Sequence, residues 1–292
     1  MNAKILHLRK IETVAMFEEK RNNKVYFSDL LPERCPRTYS GLIEILDRYG
    51  VPHSLLKGTH DIWCRDYMPV QYSKERFFQF SYHPDYLLDT LEHRHSITSG
   101  LVVCKDNGLP KPVYSTIKVD GGNVVHCGKS VVMTSKVFEE NPSHTVRELS
   151  RDLEAILGAR IIFLPWDPEE IYGHADGILR FIDNDTVLMT NYRQFDWWMA
   201  ERFMRCLEPH FKVLELKFPR KGLYENSWAY INWLQTDKVL ILPKFNVPED
   251  DLALEQISRA MPAYKGRIEM VDSTDLIIHE GGLNCASWTV RE

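Results

Sequence analysis

The sequence lacks features that would place it in several large classes of protein. No run of apolar residues approaches the roughly 18 that a membrane-spanning helix needs. Lysine and arginine form no basic stripe and the formal net charge is −5, so neither nucleic acid nor a membrane is an expected partner. Residues 1–24 are charged throughout and contain no apolar segment, which argues against a secretory leader.

The sequence also lacks paired cysteines. Its six cysteines are scattered and no CxxC pair occurs, so a zinc site is not expected. Scattered thiols without a leader are typical of a reduced, cytoplasmic protein. A free cysteine is often just a small buried residue. Cys285 stands out because it follows Gly281 and Gly282, which let the backbone turn sharply and approach a ligand closely.

A repeated pattern runs through the 292 residues, whose number alone fits two domains or one large α/β domain. Short turns rich in glycine, asparagine and aspartate recur, and most are followed by two apolar runs. Equivalent positions in these turns are spaced 54, 54, 52 and 54 residues apart: Asp66, Asp120, His174, Asn226 and Glu280. These near-equal intervals predict five structural units of one kind.

Within the units, the pattern predicts a β-hairpin, then a helix, then a strand. Residues 124–135, 178–190 and 230–243 have the hairpin signature. After the first hairpin, Ser143 is an N-cap candidate and Gly158 a helix end. The apolar face of that helix is predicted to be Val146, Leu149, Leu153, Ile156 and Leu157. Residues 84–108 make a poor helix, so the unit containing them is expected to be irregular.

A single unit offers too few elements to bury its own apolar face, so the units must share a core. We therefore predict an α/β fold in which five units close into a propeller-like barrel, forming one domain over residues 1–292. The five turns would gather at one end of the central axis. Side chains that are far apart in the sequence would meet there.

The gathered turns would hold more carboxylates than cations. They contribute Trp63, Arg65, Asp66, Asp120, Asn123, His174, Asp176, Glu225, Asn226, Glu280 and Cys285. Clustered carboxylates repel one another and have raised pKa values unless a cation binds between them. A metal ion could be that cation. A planar guanidinium fits better, because it donates bidentate hydrogen bonds along two edges, and Trp63 offers it a ring face.

Four motifs make the sequence similar to a known superfamily. They are WCRDYMP with Trp63, Arg65, Asp66 and Pro69, then DGGN at residues 120–123, GHAD with His174 and Asp176, and GGLNC with Cys285. Over roughly residues 40–292 the chain resembles the guanidino-group modifying (pentein) superfamily, in its agmatine deiminase and bacterial peptidylarginine deiminase-like branch. The resemblance implies a five-bladed α/β propeller and a hydrolase without cofactor or metal that acts on a small guanidino compound such as agmatine.

The resemblance also implies a covalent mechanism. Asp66 and Asp176 would hold the guanidinium nitrogens while the Cys285 thiolate attacks the central carbon. His174 would protonate the departing nitrogen, ammonia would leave, and His174 would then activate water against the thiouronium intermediate. The remaining substrate-binding set is Trp63, Asp120, Arg65 and Asn123. In this set, Asp120 would orient the substrate or a histidine, and Arg65 would bridge carboxylates.

The chain departs from this branch at its N-terminal segment and around the cysteine. Gly282 and Asn284 stand where the family motif has asparagine and histidine, and Ala286-Ser287-Trp288 differs from the usual glutamine-rich ending. Arginine or peptidylarginine therefore stays open as the substrate, as does amidino transfer in place of hydrolysis. A propeller that only binds a partner is the alternative from another class. Seven tryptophans leave room for an interface between copies of the chain.

Overall fold

Fifteen short strands form five separate three-stranded sheets in the computed structural model, which describes residues 19–292. The expectation about a secretory leader therefore falls largely outside the described residues. The strands are β1 (Lys24–Ser28), β2 (His53–Leu56), β3 (Val70–Ser73), β4 (Arg76–Ser81), β5 (Val113–Lys118), β6 (Val125–Cys127), β7 (Ser130–Thr134), β8 (Arg160–Leu164), β9 (Leu179–Phe181), β10 (Thr186–Met189), β11 (Lys212–Glu215), β12 (Leu234–Gln235), β13 (Leu240–Lys244), β14 (Ile268–Asp272) and β15 (Ser287–Val290).

All five sheets share one pattern. The middle strand pairs antiparallel with one neighbour and parallel with the other, as in β6-β7-β8, where Val125 faces Val132 and Val132 faces Ile162. Four sheets use consecutive strands: β3-β4-β5, β6-β7-β8, β9-β10-β11 and β12-β13-β14. The fifth, β15-β1-β2, pairs the end of the chain with its beginning, antiparallel between β15 and β1.

Helices supply the crossovers that parallel pairing requires, since a tight turn cannot connect two parallel strands. One or two helices lie between the middle strand and the parallel strand of every sheet. The helices are α1 (Leu31–Arg34), α2 (Pro36–Arg48), α3 (Cys64–Tyr67), α4 (Leu91–Ser96), α5 (Gly100–Asp106), α6 (Lys136–Glu140), α7 (Val146–Leu157), α8 (Tyr192–Phe195), α9 (Trp197–Leu207) and α10 (Glu249–Ala260). Of the helices in residues 19–292, none combines the length and apolar character needed to cross a bilayer.

Apolar side chains fill the spaces between successive sheets. Each of five clusters joins residues of two neighbouring sheets and at least one crossover helix. For example, Phe80 of β4, Met133 of β7 and Leu153 of α7 belong to one cluster. The last cluster joins Phe77 of β4 to Trp288 of β15. The prediction that the units share their core is confirmed for neighbouring units, because each cluster combines buried side chains from two neighbouring sheets.

The predicted elements are largely confirmed, with one error at a helix start. The first two hairpins form as β6-β7 and β9-β10, and residues 84–108 are irregular, with two short helices. Ser143 is not the N-cap of α7. Thr145 caps it through a reciprocal capping box with Glu148, and Ser143 contacts the His144 ring instead. Gly158 ends the helix at φ 61°, as predicted.

Two further details differ from the sequence prediction. Val146 is 60% exposed, so the buried face of α7 consists of Leu149, Leu153 and Leu157. The third hairpin is shorter than predicted. Residues 230–231 belong to the 3₁₀ helix Glu225–Ile231, which leaves only Leu234–Gln235 as strand β12.

Candidate active site

Short turns from different units meet at one place in the molecule. Helix α3 contacts the 3₁₀ turn Gly121–Asn123, which contacts the turn Ala175–Gly177, which contacts Glu225–Ile231. Helix α3 also contacts β15, next to the cysteine loop. Side chains that are about 54 residues apart in the sequence therefore lie beside one another, as the repeat predicted.

His174 lies between two carboxylates. Its Nε2 is 3.1 Å from Asp120 Oδ2, and its Nδ1 is 3.6 Å from Asp66 Oδ1. The backbone N–H of Gly122 donates to Asp66 Oδ1 at 3.0 Å. A Cβ at Gly122 would stand 2.7 Å from both Asp66 Oδ1 and His174 Nδ1, so only glycine lets the turn approach this closely.

The charges in this cluster shift each other's pKa values. Burial lowers the pKa of His174, but the charge of Asp66 and the hydrogen bond and charge of Asp120 outweigh burial and raise it to about 10. Burial, reinforced by Asp176 and Asp120, raises the pKa of Asp66 to about 7, against the opposing effect of His174. His174 is therefore an imidazolium at neutral pH and able to donate a proton.

The two carboxylate oxygens of Asp176 differ in their hydrogen bonding. Its Oδ2 accepts a hydrogen bond from Asn284 Nδ2 at 2.6 Å. Its Oδ1 is buried, and among residues 19–292 no side-chain or backbone donor reaches it. Buried carboxylate oxygens are normally hydrogen-bonded, so this atom marks where a ligand donor would fit.

The thiol of Cys285 lies beside the same carboxylate. Its Sγ is 3.8 Å from Asp176 Oδ2. Burial, and then the negative charges of Asp176 and Asp66, raise the pKa of the Cys285 thiol well above its ordinary value. These effects hold the sulfur as the protonated thiol, which is a poor nucleophile.

Asn232 holds the cysteine loop, although the spacing of the turns did not point to this residue. Its Oδ1 accepts from the Cys285 N–H at 3.1 Å, and its backbone carbonyl accepts from the Asn284 N–H at 3.1 Å. A Cβ at Gly282 would stand 2.5 Å from Asn232 Oδ1, so glycine is required for this approach.

The repeat pointed instead to Glu225 and Asn226, which do not join the carboxylate cluster. Glu225 is exposed, and Asn226 donates to the hydroxyl of Tyr224. The positions of the strands would have pointed to Asn232. Asn123 and Asn232 each stand two residues before the first strand of their sheet, so an alignment on strands rather than turns pairs them.

The remaining predicted residues serve the loops around the cluster. Arg65 Nη2 donates to Asn284 Oδ1 at 2.8 Å and to Thr289 Oγ1 at 3.3 Å, so part of its guanidinium supports the cysteine loop. The Trp63 ring packs against the backbone of the cysteine loop, since a Cβ at Gly281 would lie 2.4 Å from it. Asn123 accepts from the Thr134 N–H at 2.7 Å, which ties its amide to the protein backbone.

Two tyrosines flank His174, and no pattern in the sequence pointed to either of them. Tyr86 donates to Asp120 Oδ2 at 3.0 Å, and Tyr172 donates to Glu280 Oε2 at 2.6 Å. Their rings meet edge to face at 5.0 Å, and each lies just over 6 Å from the His174 ring, at 6.3 and 6.2 Å. Glu280 was predicted to join the cluster, but it is exposed and lies at the rim.

The carboxylates of the cluster can hold a cation. In the part of the chain that the structure describes, no group of three or more His, Cys, Asp or Glu side chains is arranged to hold a metal. The carboxylates of Asp66 and Asp176 instead flank the region beside the Cys285 sulfur. They can accept hydrogen bonds from several directions, as a guanidinium requires.

Known structures share this fold at low sequence identity. A substrate-bound cysteine-to-serine variant of agmatine deiminase from C. jejuni is 17% identical, with a TM-score of 0.76 over 95% of this chain and 96% of that one. A putative arginine deiminase from Porphyromonas gingivalis is 16% identical, with a TM-score of 0.73 over 95% and 98%. Agmatine deiminase of Enterococcus faecalis is 16% identical, with a TM-score of 0.71 over 96% of both chains.

A family match covers nearly the whole sequence. Residues 12–290 match the family described as Porphyromonas-type peptidyl-arginine deiminase. The similarity stated from the four motifs is confirmed by this match, and the mixed α/β fold is that of pentein-superfamily structures. The chain belongs to the Porphyromonas-type peptidyl-arginine deiminase family, an enzyme family of guanidino-group deiminases.

Proposed function

We propose that this protein hydrolyses the guanidino group of a small arginine-derived compound, with agmatine as the favoured substrate, through a covalent intermediate on Cys285. One observation carries the proposal: Asp176 Oδ1 is buried without a donor, in a cluster that also holds Asp66 and Asp120. A guanidinium supplies the missing donor and a positive charge at once. A neutral ligand would add no positive charge to that of the His174 imidazolium, although the cluster holds three carboxylates.

Substrate binding activates the nucleophile. The negative charges of Asp176 and Asp66 help to keep the Cys285 thiol protonated in the empty site. A guanidinium between these carboxylates offsets their charge, and the imidazolium of His174 adds to its effect, so the thiol pKa falls when substrate is bound. The reactive thiolate thus forms where and when its target is present.

The reaction then has two halves. Cys285 Sγ forms a bond to the guanidinium carbon, His174 donates a proton to a terminal nitrogen, and the carbon–nitrogen bond breaks to release ammonia. The neutral His174 next removes a proton from water, whose oxygen attacks the thiouronium carbon. The carbon–sulfur bond breaks, and a ureido product and the thiolate remain. Asp120 keeps the imidazole oriented throughout by its contact with Nε2.

The architecture proposed for this chemistry is a five-bladed α/β propeller formed by the whole chain as one domain. The five sheets with one strand pattern, and the pairing of β15 with β1, support a closed ring of units. So does the succession of apolar clusters, which returns from the last sheet to the first. A ring places the turns of all units around one axis, where the site lies.

Turnover measurements test the proposal. The protein is incubated with agmatine, arginine and a blocked arginyl peptide, and ammonia and ureido product are quantified. We expect both products from agmatine and at least a hundredfold loss with Cys285→Ser, since removing a nucleophile abolishes the covalent route. Cys206→Ser is the matched control, because Cys206 is also partly exposed but lies on α9. Full activity in Cys285→Ser, or product formed only by transfer to an added amine, would contradict the proposal.

A further inference from the structure

Glu280 has an unusual backbone conformation. Its φ is 65°, and among residues 19–292 only one other non-glycine residue, Asn246, has a positive φ. Asparagine tolerates this left-handed region, whereas glutamate there is disfavoured by its Cβ. Glycine would fit without strain, so the local chain gives no reason for glutamate. A side-chain role would give one.

The carboxylate of Glu280 lies at the rim of the proposed active site. It directly precedes Gly281 on the loop that carries Cys285. Its Oε2 accepts the hydrogen bond from Tyr172 OH at 2.6 Å, and the Tyr172 ring lies 6.2 Å from the His174 ring. The hydrogen bond therefore links the histidine loop to the cysteine loop and fixes the direction of the Glu280 side chain.

A second carboxylate, that of Glu170, lies on the Tyr172 side of the rim. Glu170 accepts from the N–H groups of Tyr172 and Gly173 on the same rim. The nearby Lys136 is buried and pairs with Asp85 at 2.9 Å, with its Nζ 4.9 Å from the centre of the Tyr86 ring. Arg65 binds Asn284 beneath the cysteine loop. A substrate group that reaches this rim meets an acidic surface.

We infer that Glu280 is a specificity-determining residue that accepts a hydrogen bond from a cationic group at the far end of the substrate. This inference rests on the proposed function, because the guanidinium must first sit between Asp66 and Asp176. Tyr172 is a positioning residue that holds the carboxylate in place. The favoured substrate class is a guanidinoalkyl amine. A distal carboxylate, as in free arginine, is disfavoured by like-charge repulsion at the same place.

Kinetics with two matched compounds test this role. Agmatine and n-butylguanidine have the same guanidinium and alkyl chain, but only agmatine has a distal ammonium. In Glu280→Gln we expect kcat/KM for agmatine to fall on the order of tenfold, mostly through KM, since an exposed charge-assisted hydrogen bond is lost. The value for n-butylguanidine stays unchanged. Tyr172→Phe gives a smaller loss of the same kind.

Two further variants separate specificity from structure. Glu225→Gln removes another exposed glutamate and leaves both compounds unaffected. Glu280→Gly removes the carboxylate and also relieves the positive φ, so it loses the agmatine preference while the melting temperature is kept or raised. If Glu280→Gln and Glu280→Gly lower kcat/KM for both compounds equally, Glu280 only shapes the loop and the inference is wrong.

Binding distinguishes this inference from the proposed reaction. Calorimetry with Cys285→Ser measures affinity for both compounds without turnover. Tighter binding of agmatine that disappears in the Cys285→Ser, Glu280→Gln double variant supports the role of Glu280 even if the wild-type protein releases no ammonia. Equal affinity for the two compounds, or no binding of either, overturns it. Turnover of both compounds by the wild type with equal kcat/KM would overturn the inference while leaving the deiminase proposal intact.

Discussion

At the scale of single residues, the loop before Cys285 depends on one buried amide. Asn232 accepts from the Cys285 N–H, and its Nδ2 lies 3.4 Å from the carbonyl oxygen of Asp176. One side chain thus connects the backbone of Cys285 with the backbone of Asp176, whose carboxylate lies beside the sulfur. The position of Sγ relative to Asp176 is set by this pair of contacts rather than by Cys285 itself.

Replacing Asn232 with alanine tests that dependence. We expect the free energy of unfolding to fall by about 1–3 kcal/mol, because buried polar groups lose their partner. We expect kcat to fall by at least about tenfold, since a small displacement of a nucleophile is costly. Urea denaturation and ammonia release measure the two effects. Asn226→Ala is the control, and equal losses in both variants would contradict this account.

At the scale of elements, short segments position the site and long helices support it. Asp66, Asp120, His174 and Asp176 lie in or next to helices and turns of three or four residues. The long helices α2, α7, α9 and α10 pack between sheets and hold those turns at a fixed separation. The start of α7 shows how a local hydrogen-bond pattern decides an element's boundary.

Two single substitutions near α7 distinguish the predicted cap from the observed one. Thr145→Ala removes both the hydroxyl that accepts from the Glu148 N–H and the capping box. We expect a loss of about 1 kcal/mol in the free energy of unfolding. Ser143→Ala leaves the helix start intact and should change stability little. Chemical denaturation of both variants measures these losses. A larger loss of unfolding free energy in Ser143→Ala would favour Ser143 as the N-cap.

At the scale of the whole molecule, the buried charge cluster couples stability to pH. The folded protein holds a proton on His174 to about pH 10, whereas an unfolded histidine releases it near its ordinary value of 6.5. Between these values the folded state binds more protons than the unfolded state, so stability falls as pH rises. Glu140, whose pKa burial and the charge of Asp120 raise to about 8, acts in the same direction.

We therefore expect the free energy of unfolding to decline between pH 7 and 8.5, by about 1.4 kcal/mol per pH unit for each proton released. This window begins at the pKa of Asp66, which is about 7, and ends below the ordinary thiol value of 9.0. Asp120→Asn removes a charge that raises the pKa of both His174 and Glu140, so its decline should be shallower. Exposed Glu139→Gln is the control. Denaturation series at several pH values measure this decline. A wild-type free energy of unfolding that does not change between pH 7 and 8.5 would contradict the coupling of stability to the buried charges.

The sequence by itself determined the repeated unit, most of its elements and three members of the charge cluster. Apolar periodicity and turn chemistry act over a few residues, so the hairpins, α7 and the Gly158 helix end could be predicted from local order. The equal spacing of the turns was then enough to predict that Asp66, Asp120 and His174 lie close together. In the structure, His174 lies 3.1 Å from Asp120 and 3.6 Å from Asp66, which agrees with that prediction.

Only the tertiary structure decided which partners those residues take. The choice of Asn232 over Asn226, the contact of Arg65 with Asn284, and the Tyr172–Glu280 hydrogen bond depend on how neighbouring units are rotated and packed. Such contacts join positions far apart in the chain, so no periodic pattern in the sequence predicts them. Packing fixes them because the buried amide and carboxylate groups must find donors and acceptors wherever the shared core has placed them.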